Sequence, residues 1–224
     1  MPTPRLTRST TAFLIATPLA WAVLLWFHPD VAPDSVYRDL RDEVTSYQVV
    51  HVGTLIFIGL MGAALYLLVR DLPGKAARLS RLAIGPFVLL YGAWEAVIGL
   101  SIGALAQHAN NAPPGQRPAV ADAIQSVGSD VIIGDPGVVG SVGALAWIVA
   151  VTAAAVAIRH GGAPLLATVL LALSLVVVSH PPPIGPIGLT CFAGAVLVLY
   201  RSQRVATTTT VRAESRGPTP TASM

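Results

Sequence analysis

Six apolar runs separated by polar segments dominate the chain. Most of them approach the roughly 20 residues that a helix needs to cross the hydrocarbon core of a bilayer. Helix is the form we expect, because an isolated strand would leave its backbone groups unpaired in lipid. The predicted spans cover 12–28, 48–69, 82–106, 137–158, 163–179 and 184–200. The pattern predicts an all-α protein, a polytopic transmembrane bundle of six spans within residues 1–201.

Two gaps between the predicted spans have a helical periodicity of their own. Apolar side chains recur every three or four residues in 31–47 and again in 118–133. Such amphipathic segments lie at a membrane surface or continue into the neighbouring span. Residues 202–224 are rich in Thr and Ser and have no apolar period, so we predict a disordered cytoplasmic tail there.

The composition supports lipid as the solvent of this protein. Only 11% of the residues are charged, whereas soluble proteins carry about 25%, and 54% are hydrophobic. The formal net charge of +3 is too small and too dispersed to indicate a nucleic-acid partner. Cys191 is the single cysteine, which excludes an intramolecular disulfide and a cysteine-rich metal motif.

The basic residues predict the orientation in the membrane. Of the 14 Lys and Arg residues, 11 lie on one side of the predicted bundle and only Arg38, Arg41 and Arg117 on the other. The 11 are Arg5, Arg8, Arg70, Lys75, Arg78, Arg81, Arg159, Arg201, Arg204, Arg212 and Arg216. Basic residues accumulate on the cytoplasmic side, so we expect a plasma-membrane protein with both termini cytoplasmic. Arg5 and Arg8 before the first apolar run imitate a signal peptide, but no small-residue cleavage site follows the run, so we expect a retained span.

Four histidines lie where predicted spans meet the external face, and they are the first candidate site. These are His28, His51, His108 and His180. Neutral imidazole binds transition metals, and a helix bundle can bring such side chains together. Three histidines with a water suit a catalytic zinc, and two opposed histidines suit haem. The alternative interpretation is structural, because a histidine at a helix C-terminus also interacts favourably with the helix dipole.

Glu95 is the second candidate, because it is the only charged residue embedded in an apolar run. Such a carboxyl costs roughly 2.5–3.5 kcal/mol on insertion scales, so it is expected to face the bundle interior. It could act catalytically as a proton donor or carrier, or it could hold helices together as a hydrogen-bonded neutral acid. His108 follows it by thirteen residues, roughly 20 Å along a helix and on a different face, so we do not expect the two in one site.

Glycine spacing predicts where helices pack closely. Gly99 and Gly103 form Gly-x-x-x-Gly in the third span, and Gly137, Gly140 and Gly143 recur in the fourth. Small residues let helix backbones approach one another in lipid.

The pair Trp94–Glu95 within an apolar run resembles the membrane-embedded terpene cyclases. The resemblance covers only a few residues, and it implies a second acid in a late span, which 163–179 and 184–200 do not contain.

Three classes of function follow from these candidates. The preferred one is a protein that binds a transition metal or haem at its external face, in a binding or redox role. The first alternative is a transporter or a membrane-embedded enzyme, cyclase-like for example, that uses Glu95 to handle protons. The second is an accessory subunit without chemistry that binds another membrane protein through its small-residue helix faces.

Overall fold

The computed structural model describes residues 6–214, except for the side chains of 206–214. Within that range the chain forms helices and no strands, which confirms the all-α prediction. The helices are α1 (Arg8–Leu25), α2 (Val36–Leu40), α3 (Val44–Val69), α4 (Lys75–Pro86), α5 (Gly92–Glu95), α6 (Ile102–Asn111), α7 (Arg117–Gly128), α8 (Val138–His160), α9 (Leu165–Leu173) and α10 (Ile184–Glu214).

Five helical segments in the described residues are long and apolar enough to cross a membrane. They are Arg8–Leu25, Val44–Val69, Lys75–Asn111, Val138–His160 and Ile184–Val205. The predicted span 163–179 corresponds to a shorter apolar helix, Leu165–Val178, in which α9 ends in a 3-10 helix over Ser174–Val178. At 1.5–2.0 Å per residue this helix is roughly 23 Å long, less than the ~30 Å hydrocarbon core.

The third predicted span is part of a much longer helix. Helix α4, a π-helical turn at Phe87–Tyr91, α5, a second π-helical turn at Ala96–Ser101 and α6 run without interruption from Lys75 to Asn111. We call this run the long helix. Its 37 residues would extend roughly 55 Å as an ideal α-helix, and it begins seven residues before and ends five residues after the predicted span 82–106.

Helices α2 and α7 form a cap over one end of the bundle, and both lie in the gaps that were predicted to be amphipathic. Leu40 of α2 and Ile124 of α7 are fully buried. The Tyr37 hydroxyl donates to the Asn110 side-chain oxygen at 3.0 Å, and Gln125 donates to the Pro33 carbonyl at 2.7 Å. These hydrogen bonds join the cap to the end of α6 and to the loop after α1.

Close helix contacts occur at the predicted glycines. A Cβ added at Gly140 would lie 2.7 Å from the Trp94 ring, and one at Gly143 would lie 2.8 Å from the Tyr91 Cα. Helix α8 therefore packs directly against the middle of the long helix. A Cβ at Gly99 would overlap the His51 ring, so α3 lies equally close on the other side.

The segment before α1 and the end of the last candidate span, Ile184–Val205, meet at the end of the bundle opposite the cap. The Leu6 amide donates to the Gln203 side-chain oxygen at 3.2 Å. The predicted disordered tail, 202–224, starts within α10, which continues to Glu214, and residues 215–224 lie outside the described residues.

Candidate metal centre

Three of the four predicted histidines meet beneath the cap. His28 follows α1, His51 lies in the second turn of α3, and His180 lies between the 3-10 turn and α10. One ring nitrogen from each lies within 4.8 Å of the others. The ring centroid of His28 is 5.0 Å from that of His51 and 5.1 Å from that of His180. We call these three residues the histidine cluster.

His108, the fourth predicted ligand, is outside this cluster. It is exposed in the last turn of α6, and the group of mutually close ring nitrogens does not include it. The expectation failed because the long helix does not end at the level of the other rings. Glu95 contacts the cluster, and His108 follows it by thirteen residues, roughly 20 Å further along the same helix.

Glu95 contacts the histidine cluster through His51. Its Oε1 is hydrogen-bonded to His51 Nδ1, and the two side chains are 0% and 1% exposed. The sequence predicts the two residues in separate sites, because the second predicted span begins at 48 and His51 lies near its start. Helix α3 begins earlier, at Val44, so His51 is roughly 10 Å inside it and reaches the depth of Glu95. The helical periodicity of 31–47, which continues into the second predicted span, is the sequence signal for this earlier start of α3.

Each Nδ1 of the cluster has a hydrogen-bonding partner. His28 Nδ1 lies 2.7 Å from the Pro29 carbonyl oxygen, so it must carry the proton and donate. His180 Nδ1 lies 3.2 Å from the Tyr91 hydroxyl, which donates its single proton to the Val178 carbonyl at 3.1 Å. That hydroxyl can then only accept from His180 Nδ1.

This hydrogen bonding leaves the Nε2 atoms for a ligand. With the proton on Nδ1, the lone pair of each neutral ring is on Nε2. The Nε2 atoms of His28 and His51 are buried and have no hydrogen-bond partner among the described residues. Buried polar atoms are normally paired, so these two nitrogens, on rings that line one cavity, are suited to bind a ligand there.

A cavity of about 120 Å³ adjoins the three rings. At roughly 30 Å³ per molecule, it has room for about four waters. Its apolar wall is formed by Val31, Val36, Ile98 and Ile102. Two carboxyl side chains, Asp30 and Asp135, are also in its lining, and both are partly exposed to solvent.

Burial keeps His180 in the form that binds metals. Desolvation lowers its pKa to about 4, and the positive charge that His28 and His51 would carry acts in the same direction, against the opposing effect of Glu95. The ring is therefore neutral at physiological pH, as a ligand must be. Partial burial raises the pKa of the Asp135 carboxyl above its ordinary value.

The geometry suits a single ion better than haem. Nitrogens bound to one tetrahedral ion at about 2.0–2.1 Å lie roughly 3.3 Å apart, and one ring nitrogen from each histidine of the cluster lies within 4.8 Å of the others. Pockets for organic ligands usually measure ~300–1,000 Å³. The cavity of about 120 Å³ at the histidine cluster is smaller than that, and haem is a large organic ligand.

No protein-family model, curated protein or solved structure that was compared with this chain matches it. Function is therefore inferred from the site itself. The partner of Glu95 is a histidine, whereas the resemblance to the terpene cyclases implies a second acid.

Proposed function

We propose that this chain is a multi-pass membrane protein that binds one transition-metal ion through His28, His51 and His180. The observation that carries the proposal is the convergence of three ring nitrogens within 4.8 Å beside a cavity. Three imidazole ligands with one remaining position are typical of a catalytic zinc centre, and imidazole also suits copper and iron.

Glu95 is the orienting partner of His51 in this proposal. Histidines that bind metals commonly donate their other ring N–H to a carboxylate, which fixes the ring and makes it a stronger ligand. Glu95, Pro29 and Tyr91 provide such a partner for each of the three rings. A buried carboxylate also supplies negative charge beside a divalent cation, which offsets part of the cost of burying both.

A six-span arrangement with the histidine cluster at the external face is part of the proposal. The contact between Leu6 and Gln203 supports an even number of crossings, because both ends of the described chain then lie on one side. With five long helices, Leu165–Val178 would be the sixth crossing. The Trp147 indole, which donates to the Ser174 carbonyl at 3.2 Å, ties this short helix to α8. The distribution of Lys and Arg then makes the end opposite the cap cytoplasmic.

Metal analysis of the purified full-length chain tests the proposal. After exposure to Zn²⁺ or Co²⁺ and removal of loose ions, we expect one ion per chain, and Co²⁺ should give the visible absorption of a tetrahedral site. His28→Ala, His51→Ala and His180→Ala should each lower the stoichiometry, while the exposed His108→Ala and His160→Ala should not. A wild-type chain without bound metal, or equal losses in the control variants, would overturn the proposal. Size-exclusion profiles of all variants exclude unfolding as the cause.

A further inference from the structure

Asp135 lies between the metal cavity and a second, larger depression. It lines the cavity of about 120 Å³ at the histidine cluster and also a neighbouring depression of about 390 Å³. No other residue is shared by these two linings. A molecule in the outer depression would therefore meet the Asp135 carboxyl before it reached the space beside the rings.

The outer depression follows the start of a candidate membrane span. Val138, Ser141 and Val142 lie in the first two turns of α8, and the valine side chains are 50% and 44% exposed. Exposed aliphatic side chains on a span contact lipid, so this wall continues into the hydrocarbon layer. The rim carries the carboxyls of Asp130 and Asp135, which disfavour an anionic molecule.

The proposed metal centre leaves one coordination position for a water. A fourth protein ligand is absent from the group of mutually close side chains in the described residues. Three protein ligands with an open position distinguish catalytic zinc centres from structural ones. An ion held there would lower the pKa of the water it binds, and Asp135, which lines the same cavity, would supply a carboxylate to take the proton.

We propose that the histidine cluster and Asp135 hydrolyse a carboxylic ester of an uncharged amphiphile whose hydrocarbon chain lies in the outer depression. This inference rests on the proposed metal site. The chain would lie against Val138 and Val142, and its ester group would pass Asp135 into the cavity. Two carboxylates at the rim favour a neutral head group over a phosphate.

The reaction is a hydrolysis without redox change. The oxygen of the water at the open position attacks the ester carbonyl carbon, and Asp135 accepts one of its protons. The bond between that carbon and the alkoxy oxygen then breaks. The leaving alkoxide takes the proton from Asp135, so the products are a carboxylic acid and an alcohol, and Asp135 is regenerated.

The hydrolysis of p-nitrophenyl esters by the Zn²⁺-loaded full-length chain in detergent tests the inference. We expect zinc-dependent release of nitrophenol, with a lower KM for the hexanoate than for the acetate. Asp135→Asn should lower kcat about 10²–10⁴-fold, the usual range for loss of a general base, at unchanged zinc stoichiometry. The exposed Asp122→Asn, in α7, is the matched control and should leave kcat unchanged.

A second pair of variants tests the outer depression. Val142→Trp fills it and should raise the KM for the hexanoate but not for the acetate. Leu145→Trp, on the exposed surface of the same helix outside the depression, should alter neither. Equal effects on both esters, or equal effects of the two tryptophans, would refute the assignment of the depression.

The possible failures are distinguishable. A chain that binds no metal refutes the proposed function and the inference together. A chain that binds one zinc ion per molecule but does not hydrolyse either ester refutes the inference alone. Loss of zinc in Asp135→Asn would identify Asp135 as a fourth ligand and would also refute its role as proton acceptor.

Discussion

Glu95 and His51 form a hydrogen-bonded pair that is completely enclosed between α3 and the middle of the long helix. Each of these side chains alone would be costly to bury, because a polar group without a partner loses its hydration and gains nothing in return. Together they satisfy His51 Nδ1 and one oxygen of the carboxyl. The pair therefore fixes a ring that lines the cavity.

Glu95→Gln should weaken metal binding without unfolding the protein. The amide oxygen of Gln can still accept from His51 Nδ1, but it lacks the charge that strengthens the ligand, and loss of such a partner costs about 10–100-fold in affinity. Competition with a coloured chelator measures the change. Glu43→Gln, at the exposed start of α3, is the control. Equal affinities of Glu95→Gln and the wild-type chain would contradict the orienting role.

Gly99→Ala should displace His51. The added Cβ would overlap the Cβ, Cγ and Nδ1 atoms of His51, so α3 and the long helix must separate or the His51 side chain must turn. We expect lower zinc affinity together with a lower melting temperature. Gly92→Ala is the matched control, since a Cβ there meets no atom within 4 Å. A Gly99→Ala variant with wild-type affinity would mean that the ring position does not matter for metal binding.

Tyr91→Phe should loosen His180. The substitution removes the hydroxyl that accepts from His180 Nδ1 and leaves that N–H unpaired in a buried position, which typically costs about 1–3 kcal/mol. The expected results are a lower zinc affinity and a lower melting temperature in the zinc-loaded state. Tyr66→Phe, at a half-exposed side chain on α3, should change neither. If both variants behaved alike, the hydroxyl of Tyr91 would have no positioning role.

Cysteine labelling in intact cells should reveal the orientation. In a Cys191→Ser background, Asp34→Cys at the cap should react with a membrane-impermeant maleimide. Arg78→Cys and Arg159→Cys, which are exposed at the opposite end, should react only after permeabilisation. External labelling of either arginine position would contradict the positive-inside prediction. Opposite behaviour of these two positions would exclude their placement on one side.

Some features of the fold could be predicted from the sequence because they depend on local composition. Apolar length identified the five long helices, and the alternating direction of the predicted spans placed His28 and His180 at one end. The length of the fifth apolar segment was overestimated. Its helix is confined between Pro164, its N-cap, and the Pro181–Pro183 run, and proline interrupts the helical hydrogen bonding that an extension would need.

The contact between His51 and Glu95 could not be predicted in this way. It depends on how far α3 extends into the cap and on which face of the long helix it packs against. Gly99 marks that face, but glycine spacing alone does not identify the partner helix. His108 lies away from the cluster because the long helix extends roughly 20 Å beyond Glu95, so proximity to a predicted span end was a poor guide for that residue.

The two π-helical turns, Phe87–Tyr91 and Ala96–Ser101, flank the single turn that carries Glu95. A π-helical turn is equivalent to an α-helix with one extra residue inserted, and each residue rotates the helix by about 100°. The two turns therefore rotate the Glu95 side chain away from the direction that regular α-helical winding from either neighbouring segment would give it. Deleting one residue from either π-helical turn would restore regular α-helical winding and rotate Glu95 away from α3. Such single-residue deletions would therefore keep the long helix intact while removing the contact between Glu95 and His51.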